Sequence, residues 1–217
     1  MTKLLKTVFT LTAAAILCSA GATQAATITY TITSDHCTGG CLTNQTNGGT
    51  ITVTDTGANT VQVDVELANL NKFVNTGLDG TVDFNLAGNP TITYSGLPAN
   101  WDVLNSATNT APAGTLHFDG LGDFEYGVEW VGGVGGGGAD GSSLIFTITG
   151  TGLSSASFES NGTAFFGIDI ISGTTGNTGA VDAGPGTVTV PDGGSTLTLL
   201  GSVLLGVGML RRRFSKN

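Results

Sequence analysis

Basic residues are almost missing from the interior of this 217-residue chain. Of its seven lysines and arginines only Lys72 lies between Ala26 and Val190, against 15 of the 16 acids, a formal charge of −14. Such a surface repels nucleic acid and anionic lipid and favours solubility or cation binding, which removes nucleic acid from the set of partners. Histidine is as scarce, with His36 and His117 the only two bases of that kind. No serine stands in a Gly-x-Ser-x-Gly elbow, so nucleophilic catalysis has no recognisable frame. Fifteen acids always offer carboxylate pairs, but nothing marks one pair as a glycosidase couple. Trp101 and Trp130 could stack on sugar rings, yet two tryptophans in a body of this size are more often core. Convincing long helices and fixed-period repeats are missing as well. With no catalytic constellation, the expectation is a protein that is not an enzyme.

The two ends carry what the middle lacks. Lys3 and Lys6 form a basic start, Val8 to Leu17 an apolar stretch, and Ala22-Thr23-Gln24-Ala25 places small residues for a cut after Ala25. That is the pattern of a secretory leader, residues 1–25. Cys18 is ordinary leader sequence, because Leu17 stands where a lipoprotein signal needs a small residue. At the other end, Val190-Pro191-Asp192-Gly193-Gly194 opens a tail whose residues 195–210 are uncharged, followed by Arg211, Arg212 and Arg213. Those 16 residues would span roughly 24 Å as a helix. A hydrocarbon core is about 30 Å thick, so the span is short and relies on snorkelling flanks or local thinning. The three arginines act as a membrane stop on the cytoplasmic side.

This three-part tail, a short motif, one brief apolar helix and an arginine cluster, resembles the PEP-CTERM sorting signal. Val-Pro-Asp-Gly-Gly replaces the commoner Val-Pro-Glu-Pro, so it looks like the VPDGG or VPDSG variant. The resemblance covers residues 190–214. It implies a Gram-negative bacterium, an exosortase-type processing enzyme as partner, and a transient inner-membrane intermediate. The final location it implies is the cell surface or extracellular (biofilm) matrix, with extracellular polysaccharide as a contact.

Between the ends, glycine and proline together make up about 18%, below the roughly 25–30% of low-complexity chains, so a folded body is expected. Apolar residues alternate with polar ones at Ile28, Tyr30 and Ile32; at Ile51 and Val53; at Val61, Val63, Val65 and Leu67; and at Val82, Phe84 and Leu86. Ile92 and Tyr94, Leu116 and Phe118, and a run Phe124, Tyr126, Val128 and Trp130 continue the pattern. Leu144 to Phe146 and Phe165 to Ile171 are apolar on both faces for part of their length and are candidates for central strands. Period-two patterning with Asp-Gly and Asn-Pro turns predicts half-buried antiparallel strands. The fold class expected is all-β: a single antiparallel β-sandwich of jelly-roll or Greek-key type over residues 26–172. Ser154 or Ser155 is placed to cap one helical turn. Residues 173–189 read as a glycine-rich tether to the tail at 190–217.

Two clusters are candidate sites. Cys37 and Cys41, spaced Cys-Thr-Gly-Gly-Cys, would form a disulfide in an oxidising envelope. Their neighbours Asp35 and His36 leave a metal site as the alternative, though no second cysteine pair completes a zinc set. Around the turn at Asp119-Gly120, Asp119, Asp123 and Glu125 could offer hard oxygens to Ca²⁺, the one cofactor considered. A plain hairpin turn with His117 on its solvent face explains the same residues. Two functions stay open: a non-enzymatic surface or matrix protein, and an exported glycan-acting hydrolase or Ca²⁺-dependent carbohydrate-binding module.

Overall fold

The computed structural model describes residues 25–45, 47–104, 110–111, 116–139 and 141–189. The expected leader, apolar span at 195–210 and arginine stop therefore lie outside the described residues. Ala26–Thr189 forms one compact unit. Its strands are β1 Thr27–Asp35, β2 Gly49–Gly57, β3 Thr60–Leu67, β4 Lys72–Phe73, β5 Val82–Leu86 and β6 Ile92–Ser95. There follow β7 Trp101–Val103, β8 Thr110–Ala111, β9 Leu116–Phe118, β10 Gly122–Phe124 and β11 Tyr126–Trp130. The last are β12 Ser143–Gly150, β13 Phe158–Glu159, β14 Phe166–Ile171, β15 Thr178–Ala183 and β16 Thr187–Thr189. Two single 3-10 turns, Gly136–Gly138 and Ser155–Ser157, complete the described elements. Ahead of the second, Ser154 N–H donates to Ser157 Oγ at 3.0 Å. No described helix is long and apolar enough to cross a membrane.

The fold is all-β, and every strand pair is antiparallel. Fourteen strands share one continuous sheet in the order β7-β11-β5-β14-β15-β1-β2-β3-β12-β6-β8, with β4, β13 and β16 attached beside it. This differs from the two separately bonded sheets of the expected sandwich. The link is β15, hydrogen-bonded to β14 on one side and to β1 on the other. Residues 173–189 are therefore not a tether: β15 lies mid-sheet with Ala180 to Ala183 buried, and β16 pairs with the start of β1.

The sheet curls until it nearly closes, because alternate residues of distant strands share one core. Phe84 of β5 lies 6.3 Å from Phe146 of β12 and 6.0 Å from Phe166 of β14, centroid to centroid. Tyr126 of β11 donates its hydroxyl to Pro90 O, just before β6, at 2.7 Å. Strands near opposite ends of the hydrogen-bonded path thus meet across the interior. Trp101 and Trp130 are part of this core, 7% and 8% exposed, and do not offer an open stacking surface. Burying aromatic and β-branched faces of this size, at about 25 cal/mol per Å², is the main force holding the curl.

A second, smaller apolar layer lies on the outside of the sheet. The hairpin β9–β10 packs Leu116, Phe118, Leu121 and Phe124 with Ala164 and Ala180. Gly167 makes this approach close: a Cβ there would sit 2.9 Å from Phe124 Cε2 and 3.0 Å from Phe118 Cδ1. The run from Phe124 to Trp130 is therefore not one strand, since Phe124 belongs to the outer hairpin while Tyr126 onward joins the main sheet.

Candidate functional site

The N-terminal loop is fastened first. Cys37 and Cys41 form a disulfide with Cα atoms 5.6 Å apart, so both sulfurs are bonded to each other. With Asp35 they make up the one described group of His, Cys and acid ligand atoms close enough to hold an ion. The Asp35 carboxylate is itself engaged, accepting N–H bonds from Cys37 at 3.0 Å, Cys41 at 3.1 Å and Leu42 at 2.7 Å. Partial burial pushes its pKa up, but those three donors and His36 outweigh it and hold the carboxyl below its usual range. The arrangement is a loop closed by covalent and hydrogen bonds. It is also sewn to the turn ahead of β15, where Asn177 Nδ2 donates to Gly39 O and Gly40 O, both at 2.9 Å.

Ser34, His36 and Asp182 come together beside this loop, and their geometry decides against a relay. His36 Nε2 lies 3.1 Å from Asp182 Oδ1 and 3.2 Å from Ser34 Oγ. A serine nucleophile and its orienting acid must engage different ring nitrogens. Here both meet the same one.

The acids singled out for calcium do not converge. Asp119 and Asp123 flank His117, at 3.6 Å from Nε2 and 2.8 Å from Nδ1, and all three side chains are more than half exposed. The Asp123 hydrogen bond raises the His117 pKa, slight desolvation opposes it, and the charges of Asp123, Asp119 and Asp79 add to the rise. Glu125 instead accepts from Asn89 Nδ2 at 2.7 Å. Asp119, Asp123 and Glu125 do not form a group with ligand atoms within reach of one another among the described residues. Hairpin pairing explains this: Asp123 stands opposite His117, whereas Glu125 falls in the bend between β10 and β11.

Beneath that hairpin lies a row of acids. Gly127, Asp83, Gly167 and Asp182 are successive register partners on β11, β5, β14 and β15, so they share one face of the sheet. That face is the one Phe118 and Phe124 cover at Gly167. Asp83 is fully buried, and neither carboxylate oxygen has a hydrogen-bond partner. Its carboxylate fills the space left by two glycines, since a Cβ on Gly80 or Gly127 would collide with it. Burial pushes its pKa well above the usual range, and the charges of Asp79 and Glu129 push the same way. Asp169, two residues beyond Gly167, is pushed up to about 6 by burial against hydrogen bonds from Thr76. Those bonds, from Thr76 N at 2.7 Å and Oγ1 at 2.6 Å, reach only Oδ2. Sequence alternation places Asp83 on a solvated face. The usable signal is the glycine opposite it in a strand apolar on both sides.

The other half of the outer face is built differently. Register sets Thr189, Thr27 and Thr54 in one rank, Thr187, Thr29 and Thr52 in the next, and Thr31 beside Thr50. All of these threonines are partly or fully exposed, while Ile28, Tyr30, Ile51 and Val53 point into the core. Thr27 Oγ1 and Thr54 Oγ1 lie 3.3 Å apart. The ranks continue over β3 with Gln62, Asp64 and Glu66. β-branching fixes the threonine side chains, so the hydroxyl lattice is stiff without help from a partner.

The last described residue, Thr189, leads straight into Val190-Pro191-Asp192-Gly193-Gly194, which lies outside the described residues. A short motif, an uncharged stretch and three arginines in this order are the layout of a C-terminal sorting signal. In particular, residues 189–214 match the VPDSG-CTERM motif, a signal of the PEP-CTERM kind. No curated protein and no solved structure matches the chain.

Proposed function

We propose that this chain is an exported, non-enzymatic protein of the cell surface or extracellular matrix, released by an exosortase-type enzyme and in contact with extracellular polysaccharide. The VPDSG-CTERM match over residues 189–214 carries the reading. In it, Ala25 ends the leader, Arg211 to Arg213 stop the tail at the cytoplasmic face, and the inner membrane holds the chain only until the tail is cut. The stiff hydroxyl lattice of β1, β2 and β16 supports the polysaccharide part. Each threonine brings one donor and two acceptor positions to a neutral sugar surface. The strong negative charge of the body disfavours polyanionic glycans.

The test begins with both termini of the protein taken from its native envelope, read by mass spectrometry. A mature form starting at Ala26 and lacking peptides from residues 197–210 is expected. Replacing Pro191 and Asp192 by alanine should leave membrane targeting intact and make the uncut form accumulate. Wild-type protein that keeps its tail peptides would reduce the tail to a plain anchor. Co-sedimentation with the polysaccharide of the producing cells, lost on replacing Thr29 and Thr52 by lysine, tests the contact.

A further inference from the structure

β3 brings two carboxylates into the threonine half of the outer face. Thr52, Asp64 and Ile145 are register partners on β2, β3 and β12, and Thr50, Glu66 and Ser143 form the next rank. Beyond β12 the uncharged surface resumes, with Thr147 opposite Ser95 and Thr149 opposite Thr93 on β6. Asp64 is half-buried, whereas Glu66, Ser143 and Ile145 are exposed. Each of the two ranks therefore holds a single carboxylate set among uncharged groups.

Neither carboxylate is neutralised from within the protein. The ion pairs among the described residues are those of His36 and His117. Glu66 Oε1 accepts a bond from the Ser143 hydroxyl, but Asp64 Oδ1 is shielded from water with no hydrogen-bond partner. Partial burial, then the charge of Glu66, raises the Asp64 pKa, the direction expected of a carboxylate with a like charge beside it and no cation. The pair does not suit calcium. Same-face neighbours on a strand stand about 6.8 Å apart, and two carboxyl groups bring at most about four oxygens where Ca²⁺ takes about 6–8. With Lys72 the one lysine or arginine of the body, the surrounding field draws in cationic partners.

We infer that this face, centred on Asp64 and Glu66, binds a glycan that carries ammonium groups at intervals among its hydroxyls, a partly deacetylated amino-sugar polymer. The inference rests on the polysaccharide contact proposed above and adds the class of sugar. A chain laid across the strands along either rank meets hydroxyls and one carboxylate, so its own cations must be sparse. Each ammonium group then meets a carboxylate that has no counter-ion, while the hydroxyls between them meet threonines. Ile145, 44% exposed beside Asp64, gives the apolar face of a sugar ring its contact. A basic polypeptide fits less well, because it brings dense charge on apolar stems and few hydroxyls.

The test uses the protein isolated from its own cells, with chelator present, and three immobilised polymers. These are an N-acetylglucosamine polymer in fully acetylated form, the same polymer partly deacetylated, and polylysine. Wild type should bind the partly deacetylated form about fivefold more tightly than the acetylated one. Asp64→Asn/Glu66→Gln should remove that preference. Asp119→Asn/Asp123→Asn takes the same charge from the outer hairpin and should leave it in place. Glu66→Gln alone, at an exposed position, should lower the preference part of the way, which guards against a folding defect in the pair. Equal loss in both double variants would make net charge the cause and overturns the inference. So does an Asp64→Asn/Glu66→Gln protein that keeps the wild-type preference. Polylysine held as tightly as the partly deacetylated polymer, and released by that same variant, would make the partner a basic polypeptide and also overturns it. Wild type that binds both glycans equally overturns the inference but leaves the polysaccharide contact standing. If neither these glycans nor the polysaccharide of the producing cells is bound, the contact itself fails.

Discussion

Replacing Asp83 by asparagine should reduce the loss of stability as pH rises above the unfolded carboxylate range, and the reason lies in the burial of one carboxyl. Asp83 is fully buried, and neither oxygen has a hydrogen-bond partner. Burial holds its pKa well above the usual range. A group raised in the folded state contributes stability that is whole below the unfolded value and is lost as pH rises through the folded one. While Asp83 keeps its proton in the folded chain and loses it in the unfolded, each pH unit removes about 1.4 kcal/mol. Asp169, raised from 3.8 to about 6, adds the same slope up to that point. Its share amounts to about 3 kcal/mol in all. Wild type should therefore lose stability more steeply than the variant as pH rises above the unfolded carboxylate value. The asparagine variant keeps the Asp169 part and the loss from His117, whose raised pKa acts in the same direction at higher pH. Its buried amide hydrogens lack acceptors, which costs about 1–3 kcal/mol, so the variant is the less stable protein in acid. The two curves should cross within about two pH units of the unfolded carboxylate value. Urea denaturation of residues 26–189 from about pH 5 to about pH 8, with chelator present, measures both slopes. Parallel curves would refute the reasoning, because Asp83 would then be ionised and compensated in the folded protein.

Residues 26–189 alone should be soluble, strand-rich by circular dichroism and cooperative in melting. Residues 26–172, lacking β15 and β16, should fail to melt cooperatively, and a matching midpoint would show β15 to be dispensable. Gly167→Val places side-chain atoms where Phe118 and Phe124 already lie. It should destabilise by about 1–3 kcal/mol in denaturant titration, and no change would mean the β9–β10 hairpin is not seated there.

Strand positions were legible wherever one face is wet and the other dry. Ile28 to Ile32, Ile51 and Val53, and Val61 to Leu67 alternate because each side chain has a single neighbourhood, and all three segments are strands. Short edge pieces such as Trp101–Val103 and Phe158–Glu159 carry too few residues to show a period. The outer hairpin was partly legible: Leu116, Phe118 and Phe124 alternate correctly, but periodicity says nothing about which face of which layer they cover. For the site, Cys37 and Cys41 are close enough in sequence to suggest their own partner. Asp119, Asp123 and Glu125 are equally close in sequence, yet hairpin register sends Glu125 away from the other two.

The segment that sequence reading misassigned most is also the one that decides the architecture. Three of the glycines in residues 173–189 are packed rather than free: Gly173 lies against Leu70, Gly179 against Cys37 and Gly186 against Ile28, and Ala180 lies in the outer apolar cluster. Val181 and Ala183 face the inner core with only Asp182 polar between them, a run too short to reveal a strand. Small side chains here mean crowding, whereas composition alone equates them with flexibility. Taken as a tether, the segment leaves β14, β5, β11 and β7 unconnected to β1, β2, β3, β12 and β6, which gives the two sheets of a sandwich. Taken as β15, it bonds the halves into one curled sheet and carries the chain to β16 with the sorting signal adjoining. The small residues of this segment thus mark the strand that joins the two halves of the sheet.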